Sequence, residues 1–326
     1  MMREIDVARI GIKIPNIGFG CSSLASLGRK KALLLLESAF DAGVRHFDVA
    51  RYYGYGEAEG ILGALIESRR ARITITTKFG IELPRPTSAL RIALQAGRRL
   101  ARLVPAARKV VQHHTTFLIK GNAFSVDDAK RSLEISLREL GTDYIDLYLL
   151  HDYVVGDQAP DELVAFLRSA VAEGKIRYFG LGTSFDNVAQ ALECQSDLCK
   201  VVQFQNSVLT RNRERLPLQA SRSLIITHGA LGGSFRRVLS FLKASSERVN
   251  DWSAKLGLDC SSESIISALM LNYAVEANPN GLVLFSSTDS VRTTKNAKSV
   301  LEPGISLAQV TLFAQLVEEN WLALTR

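Results

Sequence analysis

A carboxylate, a lysine and a histidine each stand at the carboxyl end of a separate apolar run, and a cluster of tyrosines follows the first of them. Asp48 comes late in the run from Val44 to Val49, Lys78 ends RITITTK from Arg72, and His151 ends YIDLYLLH from Tyr144. After Asp48 come Arg51 and the tyrosines Tyr52, Tyr53 and Tyr55, spaced by Gly54 and Gly56. These types together suit proton transfer. A free phenol titrates near about 10, and an ammonium beside it favours the phenolate, so a lysine would bring that value down. A carboxylate would hold the lysine charged and aimed, and a histidine would orient and polarise a carbonyl oxygen. Singly, a capping Asp, a surface Lys and a hydrogen-bonded His are ordinary. Three strand ends bearing them in one chain are not. Spacing alone does not choose among the three tyrosines.

The elements that must position these groups follow a regular alternation. Glu57 opens a helix with Ala58, Ile61, Leu62, Leu65 and Ile66 on one face, and Gly43 suits the stop of the helix before the strand. NIGFG (Asn16 to Gly20) forms a first short strand and Lys30 to Ala42 the first helix. Ser125, with Asp128 three residues on and Gly141 as its stop, bounds a helix from Val126 to Leu140. Pro160 opens another, to Glu173. Further strands are IRYFGLGTS to Thr183, VVQFQ from Val201, LIITHG from Leu224 and GLVLFSS, with a helical stretch broken near Gly257 to Ser261 before the last. Eight strands, almost all followed by helices, predict an α/β fold: a (β/α)8 TIM barrel whose loops at the strands' carboxyl ends carry the chemistry. Ile5 to Ile14 reads as an N-terminal hairpin, and Leu307 to Leu324 as an extra C-terminal helix. A doubly wound sheet is excluded by its missing phosphate loop. Gly18-Phe-Gly20 and Gly180-Leu-Gly182 both lack the third glycine.

Length and composition set the remaining bounds. With 326 residues and 47% hydrophobic content, one large domain over 1–326 is expected. Four cysteines without CxxC spacing predict reduced thiols, no metal site and a cytoplasmic location. No run approaches the length of a transmembrane segment. The net charge of +7 is local, not general: eight basic residues and no acid fall between Arg85 and Lys120, and the other 32 basic residues face 33 acids. Nucleic acid is therefore not an expected partner. The atypical basic insertion at 84–123 has helical spacing in LRIALQAGRRLARLV and predicts a solvated lid over the pocket mouth, or contact with an anionic substrate, an acidic partner or a membrane surface. His113 and His114 at its end lack a third ligand nearby.

The run from Gly43 to Ile66 resembles the signature of the aldo-keto reductase superfamily, in which a strand ending in Asp leads to a catalytic Tyr five residues on. That resemblance selects Tyr53, and with Asp48, Lys78 and His151 it completes the family's catalytic tetrad. It implies an oxidoreductase that interconverts a carbonyl and an alcohol on a small molecule, with the hydride supplied by a bound NADP(H), or NAD(H), held without a Rossmann fold. The alternatives it leaves are an aldose (sugar) dehydrogenase working in the oxidative direction and a nucleotide-binding regulatory subunit. Gln203 matches the glutamine that binds the carboxamide. Thr183 stands where the family's Ser-Asn pair is replaced by Gly182-Thr183, and His228 where a tyrosine stacks on the nicotinamide. Gly229 to Leu231 would cradle the pyrophosphate, and Gly20 with Cys21 would line the floor. In SSTDSVRTTKN, Ser287, Arg292 and Asn296 fit the adenosine-binding pattern, Ser286 replaces a common lysine, and Arg292 is the candidate for a 2′-phosphate.

Overall fold

The computed structural model describes residues 4–7, 12–81, 124–154, 161–194, 197–302 and 304–325. The basic insertion expected at 84–123 lies outside them. A two-stranded antiparallel hairpin, β1 (Glu4–Val7) and β2 (Ile12–Pro15), precedes the barrel. Eight parallel strands then close on themselves: β3 (Ile17–Gly20), β4 (His46–Asp48), β5 (Thr74–Phe79), β6 (Ile145–His151), β7 (Ile176–Gly182), β8 (Val201–Gln205), β9 (Leu224–His228) and β10 (Leu282–Phe285), with β10 pairing β3. The (β/α)8 expectation is met.

Helices α1 (Leu24–Leu27) and α2 (Arg29–Asp41) follow β3, and α3 (Glu57–Ile66) follows β4. Helix α4 (Val126–Leu140) has the predicted bounds. The Ser125 hydroxyl accepts from the Asp128 N–H, and Gly141 takes the left-handed conformation that closes the helix. Next come α5 (Asp161–Ala172), α6 (Phe185–Glu193), α7 (Gly233–Lys243), α8 (Ser246–Leu256), α9 (Glu263–Ala277) and α10 (Ser290–Leu301). The C-terminal stretch expected as one extra helix is two, α11 (Leu307–Glu319) and α12 (Trp321–Thr325), separated at Asn320. Helix α7 has no counterpart among the elements that the sequence predicts. Only one side of it, Val238, Phe241 and Leu242, is buried, while its outer side carries Arg236 and Arg237. That apolar stripe was the available signal.

Side chains alternate across a strand, so every second residue faces the barrel axis. Leu147, Leu149, Val201, Leu224, Ile226, Leu282 and Leu284 form a packed cluster inside the barrel. Two residues further along β6, β8, β9 and β10, the same alternation aims His151, Gln203, His228 and Ser286 inward, above that plug. Strand β4 sends His46 and then Asp48 inward, and β5 sends Thr74, Thr76 and Lys78. Register places these ends on one rim: Gly20 is level with Asp48, His151 with Gly182, and Gly182 with Gln203.

His46 lies in the plug, fully buried, with Nδ1 2.9 Å from Thr74 Oγ1 and Nε2 3.0 Å from Thr76 Oγ1. Burial, and then the Lys78 charge, push its pKa down to about 3. The unfolded chain takes up this proton below about 6.5 while the fold refuses it. Its share of stability is therefore complete above about pH 6.5 and falls by up to about 1.4 kcal/mol per pH unit on acidification, until the folded value near 3 is reached. Urea unfolding from about pH 7 to about pH 4 is expected to show this slope, and His46→Gln to remove one group's part of it. An unaltered slope in the variant would mean that His46 is protonated in the folded barrel.

Candidate active site

Lys78 and Asp48 are each 3% exposed, and they meet as a buried ion pair with Nζ 2.6 Å from Oδ1. The Lys78 ammonium donates a second bond to the Val49 carbonyl at 3.2 Å, and Gln203 Nε2 donates to Asp48 Oδ2 at 3.0 Å. Strands β4, β5 and β8 are thus tied together at one mouth. The turn after β4 brings in the tyrosines. The Arg51 N–H donates to the Lys78 carbonyl at 3.3 Å, the Tyr53 N–H to the Ala50 carbonyl at 2.9 Å, and Tyr53–Gly56 form one 3-10 turn. Gly54 and Gly56 have φ of 61° and 88°, which strains any other residue. A Cβ on Gly54 would also lie 2.1 Å from that of Ala25, and one on Gly56 would lie 2.7 Å from Arg51 Nη1. Arg51 in turn holds the buried Glu59 at 3.3 Å, pinning the loop to α3.

Tyr53 lines a cavity of about 410 Å³ together with Asp48, Lys78 and His151. Tyr52 does not line it; the side chain of Tyr55 lies outside the description. Lys78 Nζ is 5.5 Å from the centre of the Tyr53 ring, and the Tyr53 and His151 rings meet edge to face with centroids 5.9 Å apart. The four candidate residues therefore converge. One expectation fails: the Tyr53 pKa is raised, not lowered, first by burial and then by the Asp48 charge. The Lys78 charge is held within its pair with Asp48, and desolvation of a phenolate outweighs it. Burial, followed by the Lys78 charge and then His228, holds His151 down at about 3. At neutral pH the site thus presents a protonated phenol and a neutral imidazole.

The remaining candidates divide. Gly20, Thr183, Gln203, His228, Gly229, Leu231 and Ser286 line the cavity, as do Ser22 and Gly232, which sequence reasoning did not name. Gln203 Oε1 is buried without a hydrogen-bond partner, an acceptor aimed at a donor such as a carboxamide N–H. Gly229 to Gly232 lead into α7, an 11-residue helix with no side-chain cap and no acid in its first turn. Such an end offers unpaired N–H groups and a positive dipole to a phosphate.

Four of the candidates are buried or hydrogen-bonded within the fold. Cys21 is fully buried beneath the floor, and Ser22 occupies the lining position. The Thr183 hydroxyl donates to the Tyr153 carbonyl at 2.7 Å and accepts from Asn187 Nδ2 at 3.2 Å, so it forms wall without a proton to spare. Ser287 is engaged in its own turn, donating to the Asp289 carbonyl and accepting from the Asp289 N–H. Asn296 Oδ1 accepts from Ser267 Oγ at 3.1 Å, which ties α10 to α9. Arg292 is exposed in the first turn of α10, where its backbone N–H is capped by Asp289 Oδ1 at 2.8 Å. Among the described residues no group of His, Cys, Asp and Glu could hold a metal ion, and no helix is long and apolar enough to cross a membrane.

Known proteins are similar to this chain in fold and in sequence. An aldo-keto reductase from Klebsiella pneumoniae solved in complex with NADPH superposes with a TM-score of 0.64 at 22% identity, covering 97% of this chain and 95% of that one. The uncharacterized oxidoreductase YqkF of Bacillus subtilis is 27% identical over 67% of this chain and 60% of its own length. D-threo-aldose 1-dehydrogenase of a Pseudomonas species is 30% identical over 60% of this chain and 58% of its own length. The chain thus spans about three-fifths of the length of these two relatives. With the barrel closed, a lysine–carboxylate pair at its mouth and the aldo/keto reductase family profile matched over residues 16–313, this chain belongs to the aldo/keto reductase family.

Proposed function

We propose that the protein is an NADP(H)-dependent oxidoreductase that interconverts a carbonyl and an alcohol, with Tyr53 as the group that gives and takes the proton. The observation that carries this reading is the convergence of four side chains. Lys78 sits 2.6 Å from Asp48 and 5.5 Å from the Tyr53 ring, and His151 packs against that ring in the same cavity. When bound, the nicotinamide supplies the hydride to the carbonyl carbon, or takes it back in oxidation. Tyr53 delivers its proton to the carbonyl oxygen as charge builds there. Burial keeps that proton on the phenol until it is needed. Lys78, held by Asp48, sits beside the ring to stabilise the phenolate left behind. His151, neutral, donates a hydrogen bond that orients and polarises the oxygen. Gln203 Oε1 and the Gly229–Gly232 turn would hold the carboxamide and the pyrophosphate, with the His228 ring against the nicotinamide.

Arg292 would take the 2′-phosphate, since its exposed fork suits a planar pair of phosphate oxygens. The free thiols of Cys21, Cys194, Cys199 and Cys260 support a reducing, cytoplasmic setting. One experiment tests the whole reading. NADPH and NADH are titrated into wild type and Arg292→Ala, and then aldehydes, ketones and sugars are screened in both directions. Cofactor-dependent turnover is expected, with NADPH affinity falling about 10-fold or more in the variant and NADH little changed. Equal losses would contradict the phosphate assignment. Tight NADPH binding with no turnover across the panel would replace the enzyme with a nucleotide-binding regulatory subunit.

A further inference from the structure

One buried acid lies outside the cavity and outside the proton chemistry. Glu59, on α3, is fully buried and does not line the pocket. Burial pushes its pKa up, while the hydrogen bonds and the Arg51 charge around it pull the other way. A carboxylate in such a place is costly, and a well-packed apolar side chain often serves stability as well or better. What the carboxylate holds is therefore the informative point.

Its two oxygens are taken by two different parts of the site. Thr77 Oγ1 donates to Oε1 at 2.7 Å, and Arg51 Nη1 donates to Oε2 at 3.3 Å. Thr77 immediately precedes Lys78 on β5, and alternation turns it to the outer face of the sheet while Lys78 points to the axis. Arg51 lies in the turn between β4 and Tyr53, and its backbone N–H donates to the Lys78 carbonyl at 3.3 Å. From behind the sheet, one carboxylate thus grips both the strand that carries the ammonium and the turn that carries the phenol. Gly56 makes room for this grip, since a Cβ there would lie 2.7 Å from Arg51 Nη1. The spacing so held, Lys78 Nζ 5.5 Å from the centre of the Tyr53 ring, is the one on which stabilisation of the phenolate depends.

We propose that Glu59 is a positioning residue for proton transfer: through Thr77 and Arg51 it fixes the Tyr53 phenol relative to the Lys78 ammonium. The inference deepens the oxidoreductase reading and rests on it. A reacting group displaced by about 1 Å can lose about 10²-fold in rate. Because Glu59 does not reach the cavity, its loss acts on the chemical step and not on binding.

The test is a double-mutant cycle read on the hydride step. Glu59→Gln keeps the size of the side chain and an acceptor oxygen for Thr77 but removes the charge that holds Arg51, and Arg51→Met removes the guanidinium. Oxidation of bound NADPH by saturating benzaldehyde is followed by stopped flow, and rates are counted per NADPH bound, so that misfolded protein drops out. Each single variant is expected to slow the step about 10- to 100-fold, with NADPH affinity within about threefold of wild type. The double variant is expected to be no slower than the slower single, because both changes break the same link. Thr77→Val removes the other link without touching Glu59 or Arg51, and it keeps the proposal testable should the buried Gln fail to fold. It is expected to slow the step about 3- to 10-fold. Losses under about twofold in both Arg51→Met and Thr77→Val, or losses that multiply in the double variant, would overturn the role of Glu59 while leaving the oxidoreductase intact. A wild type that transfers no hydride to benzaldehyde or to any carbonyl compound of the screening panel would overturn both.

Discussion

Tyr53→Phe is expected to lower kcat by about 10²- to 10⁴-fold, the range for losing a positioned general acid. NADPH affinity should change little, because the lost hydroxyl acts on the substrate oxygen and not on the dinucleotide. The substitution keeps the ring. Its edge-to-face packing on His151, at 5.9 Å between centroids, and its place over Lys78 survive, so any large loss reports the hydroxyl alone. Tyr52 sharpens the comparison. Its ring also meets His151 edge to face, at 6.5 Å, yet it does not line the cavity, so Tyr52→Phe should leave kcat within about threefold of wild type. Turnover that survives in Tyr53→Phe would remove the proposed proton donor. A fall in Tyr52→Phe as large as that in Tyr53→Phe would mean that the packing around His151, and not one phenol, carries the rate. Stopped-flow measurement of the hydride step, with cofactor already bound, separates loss of chemistry from slow cofactor release.

Breaking the pair beneath Tyr53 should reach further, because it costs stability as well as rate. Lys78→Met leaves the Asp48 carboxylate in a site 3% exposed, with Gln203 Nε2 at 3.0 Å as its remaining side-chain donor among the described residues. A buried ion deprived of its partner destabilises by about 3–5 kcal/mol, most of it the desolvation of the survivor. The double change Asp48→Asn with Lys78→Met removes both charges and should recover much of that stability without recovering turnover, since no ammonium remains beside Tyr53. A single variant that loses less than about 1 kcal/mol would show the pair behaving like one at the surface. A double variant no more stable than the single would show that packing, not charge, set the cost.

Barrel and tetrad differ in how they could be read from residues. Ser125 and Gly141 bound α4 by local chemistry, a side-chain cap at one end and a left-handed glycine at the other, and the helix has the predicted limits. Apolar runs ending in Asp48, Lys78 and His151 were visible as strands because their periodicity is local, and a parallel barrel brings all such ends to one rim. Helix α7 packs on one side only, and its signal is a single apolar stripe of Val238, Phe241 and Leu242 with Arg236 and Arg237 turned away from it.

What the amino-acid sequence by itself determined was the alternation of strand and helix, and hence which side chains face the barrel axis, since those follow from neighbours a few residues apart. Tertiary structure alone decided how those side chains spend their hydrogen bonds. Thr183 gives its proton to a carbonyl 30 residues away, Asn296 turns to Ser267 on another helix, and Gln203 spends its N–H on Asp48 while keeping an unpartnered oxygen. It also raised the Tyr53 phenol by burial. The physical reason is common to all of these. Desolvation and the pairing of buried polar groups depend on what lies across the barrel, and no local pattern encodes that distance.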